Sequence, residues 1–283
     1  MLPEGQIVTA RLRGIDDQGR FRFEAGTQTL LLGTDQFIRF GSVPVVSRGP
    51  VVVLRSGGMV CGDVVHADDS TVVVLSDLFG VQRLDRDGVA GILFALPGDV
   101  GRLDRELDRC GLLPGVKTET DHDIVWLANG DEIQGRIRGA TDRRLQIETE
   151  LGEIEPARNQ LQGVRFADGR SSGAEPVCAV GFRDGSVLPA VRVAAGKEEE
   201  IVLQDTRGRM WQASTSRVRF VQAFSDRWVY LSDSQVEYRH VPFFSVVLPD
   251  RKDRNVAEGR LRAGGTTYWK GIGVYSASRL SCR

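Results

Sequence analysis

The chain has 283 residues, 41% hydrophobic and 27% charged, with 37 basic against 38 acidic side chains. That is apolar material for several small cores, and the even charge argues against nucleic acid as main partner, since phosphate neutralisation needs a surplus of Lys and Arg. Apolar runs such as Val51 to Leu54 and Val72 to Leu75 are strand-sized, which argues against a membrane span, and Met1-Leu2-Pro3-Glu4-Gly5 has neither the basic nor the apolar region of a signal peptide.

In chain order, residues 1–45 read as an incomplete β repeat carrying Gly5, Val8, Ala10, Phe21, Phe23, Phe37 and Phe40. The same features recur over 46–98 at Leu54, Gly57, Val60, Gly62, Val72, Val74, Gly80 and Ile92. Residues 99–123 break the pattern. Val100, Leu103, Leu107 and Cys110 or Leu112 fall at helical spacing, with Asp99 as N-cap and Gly111 as stop, so one short amphipathic helix and a linker are expected there.

The clearest repeat covers 124–172. Val125 and Leu127 alternate on one strand, Ile133 and Ile137 on a second, and Leu145 and Ile147 on a third; Gly152 marks a turn before Ile154, and Leu161 and Val164 close the unit. Asn129-Gly130-Asp131 predicts a tight type I′ hairpin turn. Gly57 and Gly130 stand 73 positions apart, as do Gly62 and Gly135, while Gly80 and Gly152 stand 72 apart, so one residue of slippage separates the two copies. A last copy over 173–225 carries Phe182, Gly185, Leu188, Ile201, Leu203, Gly208 and Val221, with Ala190 where the mid-strand glycine would be. Glycine inside a strand weakens pairing, so Gly62 and Gly135 predict a sharp bend in strand two. The breaker-rich stretches 97–123 and 168–176 suggest weakly coupled units.

The run from Leu127 to Ile147 resembles the Sm-like small barrel, whose pattern is L-x-N-G-x-x-[IV]-x-G-x-[IL], an Asp-containing turn and a third strand. Asp142-Arg143-Arg144-Leu145 lacks the asparagine that the RNA-binding members carry before that strand, which again argues against a nucleic-acid partner.

Chemistry-bearing motifs are sparse. Cys61, Cys110, Cys178 and Cys282 are scattered with no CxxC pair, and the three histidines lie in different segments. Asp121-His122-Asp123 and His66 with Asp68 and Asp69 read as exposed turn and loop chemistry, so neither a metal nor a cofactor is expected. HExxH, a phosphate-binding GxxxxGK[ST] loop and GxGxxG do not occur, and no catalytic residue is assigned.

Residues 226–283 differ in composition. All four tyrosines (Tyr230, Tyr238, Tyr268, Tyr275) and two tryptophans, Trp228 and Trp269, fall here. Aromatics with a polar edge beside hydrogen-bonding groups suit the apolar C–H faces of sugar rings, although the same rings also serve to pack sheets. Gly265, Tyr268, Lys270, Gly271, Ile272, Gly273, Ser276, Ser278 and Leu280 resemble the signature G-x-x-Y-x-K-G-[IL]-G-x-H-[SA]-x-S-x-[IL] of the NPCBM family of carbohydrate-binding modules, with Tyr275 in the histidine position.

The resemblance implies an all-β chain in which tandem small meander or barrel repeats, with one linker helix, precede the first strands of a jelly-roll-like β-sandwich over 226–283. It implies non-catalytic binding of a glycan or polysaccharide, with Trp228, Tyr268, Trp269, Lys270 and Tyr275 as ligand-binding residues. Such repeats before an NPCBM module resemble planctomycete envelope proteins, which places the parent protein in the periplasm or cell envelope. The module covers only the start of its family pattern, so the chain reads as clipped, with its aromatics partly exposed and its glycan affinity millimolar at best. A structural or protein-interaction repeat protein is the first alternative, and an accessory part of a glycoside hydrolase the second.

Overall fold

The computed structural model describes residues 1–46, 49–96, 100–113, 121–167, 173–197, 199–240, 251–256, 259–263, 266–274 and 278–282. Unit 1 (residues 1–45) holds β1 (Arg11–Ile15), β2 (Phe21–Ala25), β3 (Gln28–Leu32) and the short β4 (Arg39–Gly41). Unit 2 runs β5 (Val51–Leu54), β6 (Met59–Cys61), β7 (Asp63–Ala67), β8 (Thr71–Ser76), β9 (Gly80–Asp85) and β10 (Val89–Leu93). After α1 (Val100–Arg109), unit 3 has β11 (Asp123–Leu127), β12 (Glu132–Thr141), β13 (Leu145–Thr149), β14 (Gly152–Ile154) and β15 (Leu161–Arg165). Unit 4 has β16 (Cys178–Phe182), β17 (Val187–Ala195), β18 (Glu200–Asp205), β19 (Met210–Ser214) and β20 (Val218–Ala223). Among the described residues the fold is all-β with one α-helix.

Units 2 to 4 share one plan: an antiparallel meander whose last strand returns to pair with its first, through β10–β5, β15–β11 and β20–β16. A 3-10 turn precedes each closing strand, at Arg86–Gly88, Arg158–Gln160 and Thr215–Arg217. Unit 1 is partial; where the other units place their first strand, Met1 bonds to the closing segment, Met1 N to Arg39 O at 2.8 Å and Ile38 N to Met1 O at 2.9 Å.

The expected bend in strand two is present, and its cause is a change of partner. Asp123 pairs with Gly135, and one residue later Arg136 pairs with Glu148 of the third strand. A Cβ on Gly135 would stand 2.2 Å from Glu148 O, and one on Gly62 would stand 2.6 Å from Leu75 O. Only glycine lets the third strand come so near. In unit 4 the fully buried Ala190 pairs with both Cys178 and Asp205, so there the switch tolerates a methyl group.

The hairpin turn differs from the predicted type I′. Gly130 donates to Leu127 O at 2.9 Å, Leu127 N donates to Asp131 O at 2.9 Å, and Gly130 takes the positive φ (+98°) while Asn129 does not. This is a three-residue loop with glycine in the left-handed position, a turn that also suits the strand twist and needs one positive φ instead of two. Gly57 and Gly185 close the same bonds in units 2 and 4.

The units are welded together rather than weakly coupled. Ladders join unit 1 to unit 4 (β4–β20), unit 4 to unit 2 (β17–β6) and unit 2 to unit 3 (β10–β15 and β7–β12). The spatial order is therefore 1–4–2–3. In each ladder one pairing joins a residue to its own repeat counterpart: Phe40 to Val221, Met59 to Val187, Ile92 to Val164, and Ala67 to Ala140. A residue meeting its counterpart marks a local two-fold axis, so the units associate as isologous pairs.

Side chains between units 2 and 3 obey the same axis. The Arg86 guanidinium lies 4.5 Å from the Phe166 ring and donates to Ile137 O at 2.8 Å; reciprocally, Arg158 lies 3.8 Å from the Phe94 ring and donates to Val64 O at 3.4 Å. Symmetry fails at Asp123, whose counterpart is Pro50. Asp123 forms an ion pair with Arg86, and its carboxylate also accepts from Ile137 N at 2.7 Å and Ala167 N at 2.8 Å. It begins a strand with 2% exposure instead of lying in the solvated loop expected from Asp121-His122-Asp123.

A single connected core runs through all four units, and a second lies beneath α1. There Leu103, Leu107, Cys110 and Leu112 cover Val51 and Val53 of β5 and Ile124 and Trp126 of β11, so these first strands are buried on both faces. The helix ends as predicted at Gly111, which takes φ +60° while Leu112 N donates to Leu107 O at 2.7 Å; Asp99, the expected N-cap, lies outside the described residues.

Candidate functional site

Residues 226–283 form nested two-stranded ladders: β21 (Val236–His240) with β26 (Ser278–Cys282), β22 (Arg251–Lys252) with β25 (Ile272–Gly273), and β23 (Leu261–Ala263) with β24 (Thr266–Tyr268). No apolar side chain described beyond Ala223 is fully buried, so among the described residues this ribbon has no core of its own. It docks on the repeats instead. Arg260 Nε bonds Asp104 Oδ1 of α1 at 2.7 Å, Arg260 N bonds Asp104 Oδ2 at 3.1 Å, and Arg262 lies 3.6 Å from the same carboxylate. Arg39 of β4 covers a face of the Tyr268 ring at 4.7 Å.

Between the ribbon, α1 and units 2 and 4 lies a cavity of about 350 Å³. Tyr268, Trp269 and Lys270 line it together, with Phe224 and Pro189 from unit 4 and Leu107 from α1 among the remaining walls. That volume is at the lower end for small-ligand sites, and the mixture of apolar wall with a few polar groups is typical of them. The repeats and helix thus supply the wall that a second sheet of a sandwich would have supplied, and Trp228, Tyr268 and Trp269 are partly exposed, as the sequence led one to expect.

The glycines of the motif have local reasons. Gly271 sits at φ +150°, donates to Asp253 Oδ1 at 3.0 Å and accepts from Asp253 N at 2.8 Å. A Cβ on Gly273 would meet Arg254 O at 2.1 Å, so the backbone can pass there only without a side chain. Lys270 lies between Asp233 (2.5 Å) and Asp253 (3.2 Å). Burial works against its charge, but the two carboxylates outweigh burial and hold its pKa above the ordinary lysine value.

Trp228 stands apart from the cavity. Its indole donates to Tyr230 Oη at 3.2 Å, Tyr230 donates to Ala223 O at 2.6 Å, and Gln222 bridges Tyr230 Oη to Ile38 O at 2.9 Å, so this group closes the junction of units 1 and 4. Burial raises the Tyr230 pKa. Tyr275 lies outside the described residues. Sequence reasoning missed Phe224, Arg254 and Arg260 as cavity residues, because nothing in their spacing marks a wall assembled from separate elements.

Among the described residues no three metal-ligating side chains converge, and no helix is long and apolar enough to cross a membrane. Cys61, Cys110 and Cys178 are free thiols, each pushed up to about 12 chiefly by burial. Gly169-Arg170-Ser171-Ser172-Gly173 matches the letters of a G-x-S-x-G nucleophile elbow, but the flanking elements Leu161–Arg165 and Cys178–Phe182 are both strands, whereas that elbow leads from strand to helix. Comparison of the chain with protein-family models, with curated proteins and with solved structures finds no match.

Proposed function

We propose that this protein binds a glycan without catalysis, in the cavity beneath the C-terminal ribbon, and that the four repeat units form the rigid scaffold presenting it. One observation carries this reading: Tyr268, Trp269 and Lys270, singled out by the resemblance to NPCBM modules, line one cavity of about 350 Å³, while Trp228 does not. Aromatic rings beside fixed polar groups suit a sugar, whose C–H face stacks while its hydroxyls bond. The same resemblance underlies placement of the parent protein at the bacterial cell envelope.

Calorimetric titration of the 283-residue chain with galactose- and glucose-type oligosaccharides tests the reading. A Kd of roughly 100 μM is expected for at least one of them, given the preformed wall. Trp269→Ala should weaken binding about tenfold and Trp228→Ala should leave it unchanged. Absence of binding across the panel, or equal losses in the two variants, would refute the assignment.

A further inference from the structure

We infer that a separate cavity of about 500 Å³ between units 2 and 3 binds a free α-amino acid with an apolar side chain: Arg158 takes its carboxylate, Asp63 and Asp142 its ammonium group, and Val65 and Leu75 its hydrocarbon. This cavity shares no lining residue with the one beneath the ribbon.

The local two-fold axis between these units generates the same surroundings twice, and the chain fills them only once. Around Arg86 each charged group has a partner. The Arg86 guanidinium pairs with the Asp123 carboxylate, which also accepts from Ala167 N at 2.8 Å. Asp69 is held by Arg136 (3.2 Å) and Arg138 (3.4 Å), and Arg138 Nε donates to Glu148 at 2.8 Å. Every one of these residues has a counterpart 72 or 73 positions away in the chain. Arg158 answers to Arg86, Asp142 to Asp69 and Ala95 to Ala167, and all three line the cavity. The other counterparts have changed: Pro50 stands for Asp123, Asp63 for Arg136, and Val65 and Leu75 for the Arg138–Glu148 pair. The second copy therefore holds a guanidinium without its carboxylate and an acid without its cations. Val65 and Leu75 are 40% and 47% exposed where the first copy has an ion pair.

Arg158 is placed to receive a ligand. Its guanidinium is oriented by the Phe94 ring at 3.8 Å and by one long bond, Nη1 to Val64 O at 3.4 Å, and its remaining nitrogens keep contact with solvent. Asp63 and Asp142 act on it through space without pairing with it, and burial outweighs them, holding its pKa below the ordinary arginine value. Beside it Ala95 N makes a 3.4 Å bond to Gln162 O, an oxygen already held by Phe94 N at 2.9 Å, whereas Ala167 N has the Asp123 carboxylate. A guanidinium finds its best acceptor in the paired oxygens of a carboxylate. A simple anion would meet repulsion from the two acids, and a simple cation would meet it from Arg158. A zwitterion matches both charges, and a hydrocarbon side chain covers the exposed Val65 and Leu75.

The test is calorimetry of the full chain against L-leucine, L-phenylalanine, glycine, L-leucinamide and 4-methylpentanoate. Leucine or phenylalanine should bind with a Kd of about 100 μM. The other three lack the hydrocarbon, the carboxylate and the ammonium group in turn, and each should bind at least about tenfold more weakly. Arg158→Lys keeps the charge but removes the planar fork, and should weaken leucine about tenfold. Val65→Arg combined with Leu75→Glu rebuilds the ion pair of unit 3 at two exposed positions, and should weaken leucine at least about tenfold while the urea midpoint stays within error of the parent. That second variant keeps the test decisive if Arg158→Lys fails to fold. Absence of binding by leucine and phenylalanine, equal affinity for leucinamide or 4-methylpentanoate, or full binding in the Val65→Arg, Leu75→Glu variant overturns this inference, and none of these results bears on the glycan cavity.

Discussion

Replacing Asp123 with alanine should be among the most destabilising single changes in this chain. The carboxylate is 2% exposed in the residue as a whole and serves three partners: the Arg86 guanidinium, Ile137 N at 2.7 Å and Ala167 N at 2.8 Å. Removing it strands two backbone amides and leaves a guanidinium, only 12% exposed, without its closest counter-charge. Breaking one side of such a buried pair costs about 4 kcal/mol, a large share of a stability typically about 5–15 kcal/mol. Arg86→Met should cost less, about 2 kcal/mol, because Asp123 keeps both amide bonds. The double variant should resemble Asp123→Ala alone, giving a coupling of about 2 kcal/mol. Urea unfolding monitored by tryptophan fluorescence is the assay, with the exposed Asp121→Ala as control, expected within about 0.5 kcal/mol of the parent. If Asp123→Ala unfolds at the same urea concentration as Asp121→Ala, the weld between units 2 and 3 does not exist as described.

Gly135→Val places a side chain where even a Cβ would stand 2.2 Å from Glu148 O, and should cost about 3 kcal/mol or more, whereas Thr141→Val at the exposed end of β12, which loses the bonds its hydroxyl accepts from Arg143 N and Arg144 N, should cost about 1 kcal/mol; coincident urea midpoints would refute the partner-switch account of the bend. The thiols of Cys61, Cys110 and Cys178, pushed up to about 12 from 9.0 in the folded state, are protonated in both states below pH 9, so their contribution is intact there and is lost as pH rises from 9 towards 12, where the unfolded chain ionises first. At pH 10 the three together should lower stability by about 4 kcal/mol, read as a fall in urea midpoint that shrinks stepwise in Cys→Ala variants; a midpoint loss unaffected by those variants would show that the thiols are not its source.

Much of the local structure was legible in the residues. The 73-residue spacing of Gly57 with Gly130 and Gly62 with Gly135 exposed the repeat, and alternation such as Leu145 and Ile147 located its strands. Turn glycines, the helix over Val100–Arg109 and the bend at Gly135 depend on φ and on contacts within one unit, which is why pattern alone reaches them. The type of hairpin turn was missed because Asn-Gly suits more than one loop length, and the twist of the particular strand pair selects among them.

The order of units in space, 1–4–2–3, had no signal in the chain, because each ladder joins a residue to its own counterpart and every copy carries an equivalent edge. Which edges meet is settled by what lies around them. Met59 and Val187 are buried where units 2 and 4 pair, while unit 3 puts the exposed Glu132 at that position. Asp123 looked like solvated linker because its partner Arg86 lies 37 positions earlier and faces it only across the local two-fold axis. The candidate site divides in the same way. Tyr268, Trp269 and Lys270 were readable as a motif, but a cavity needs opposing walls, and those come from α1 and from units 2 and 4, far away in the chain. Sequence determined the elements and the chemistry they carry; packing between surfaces distant in sequence decided which of those elements would enclose a site.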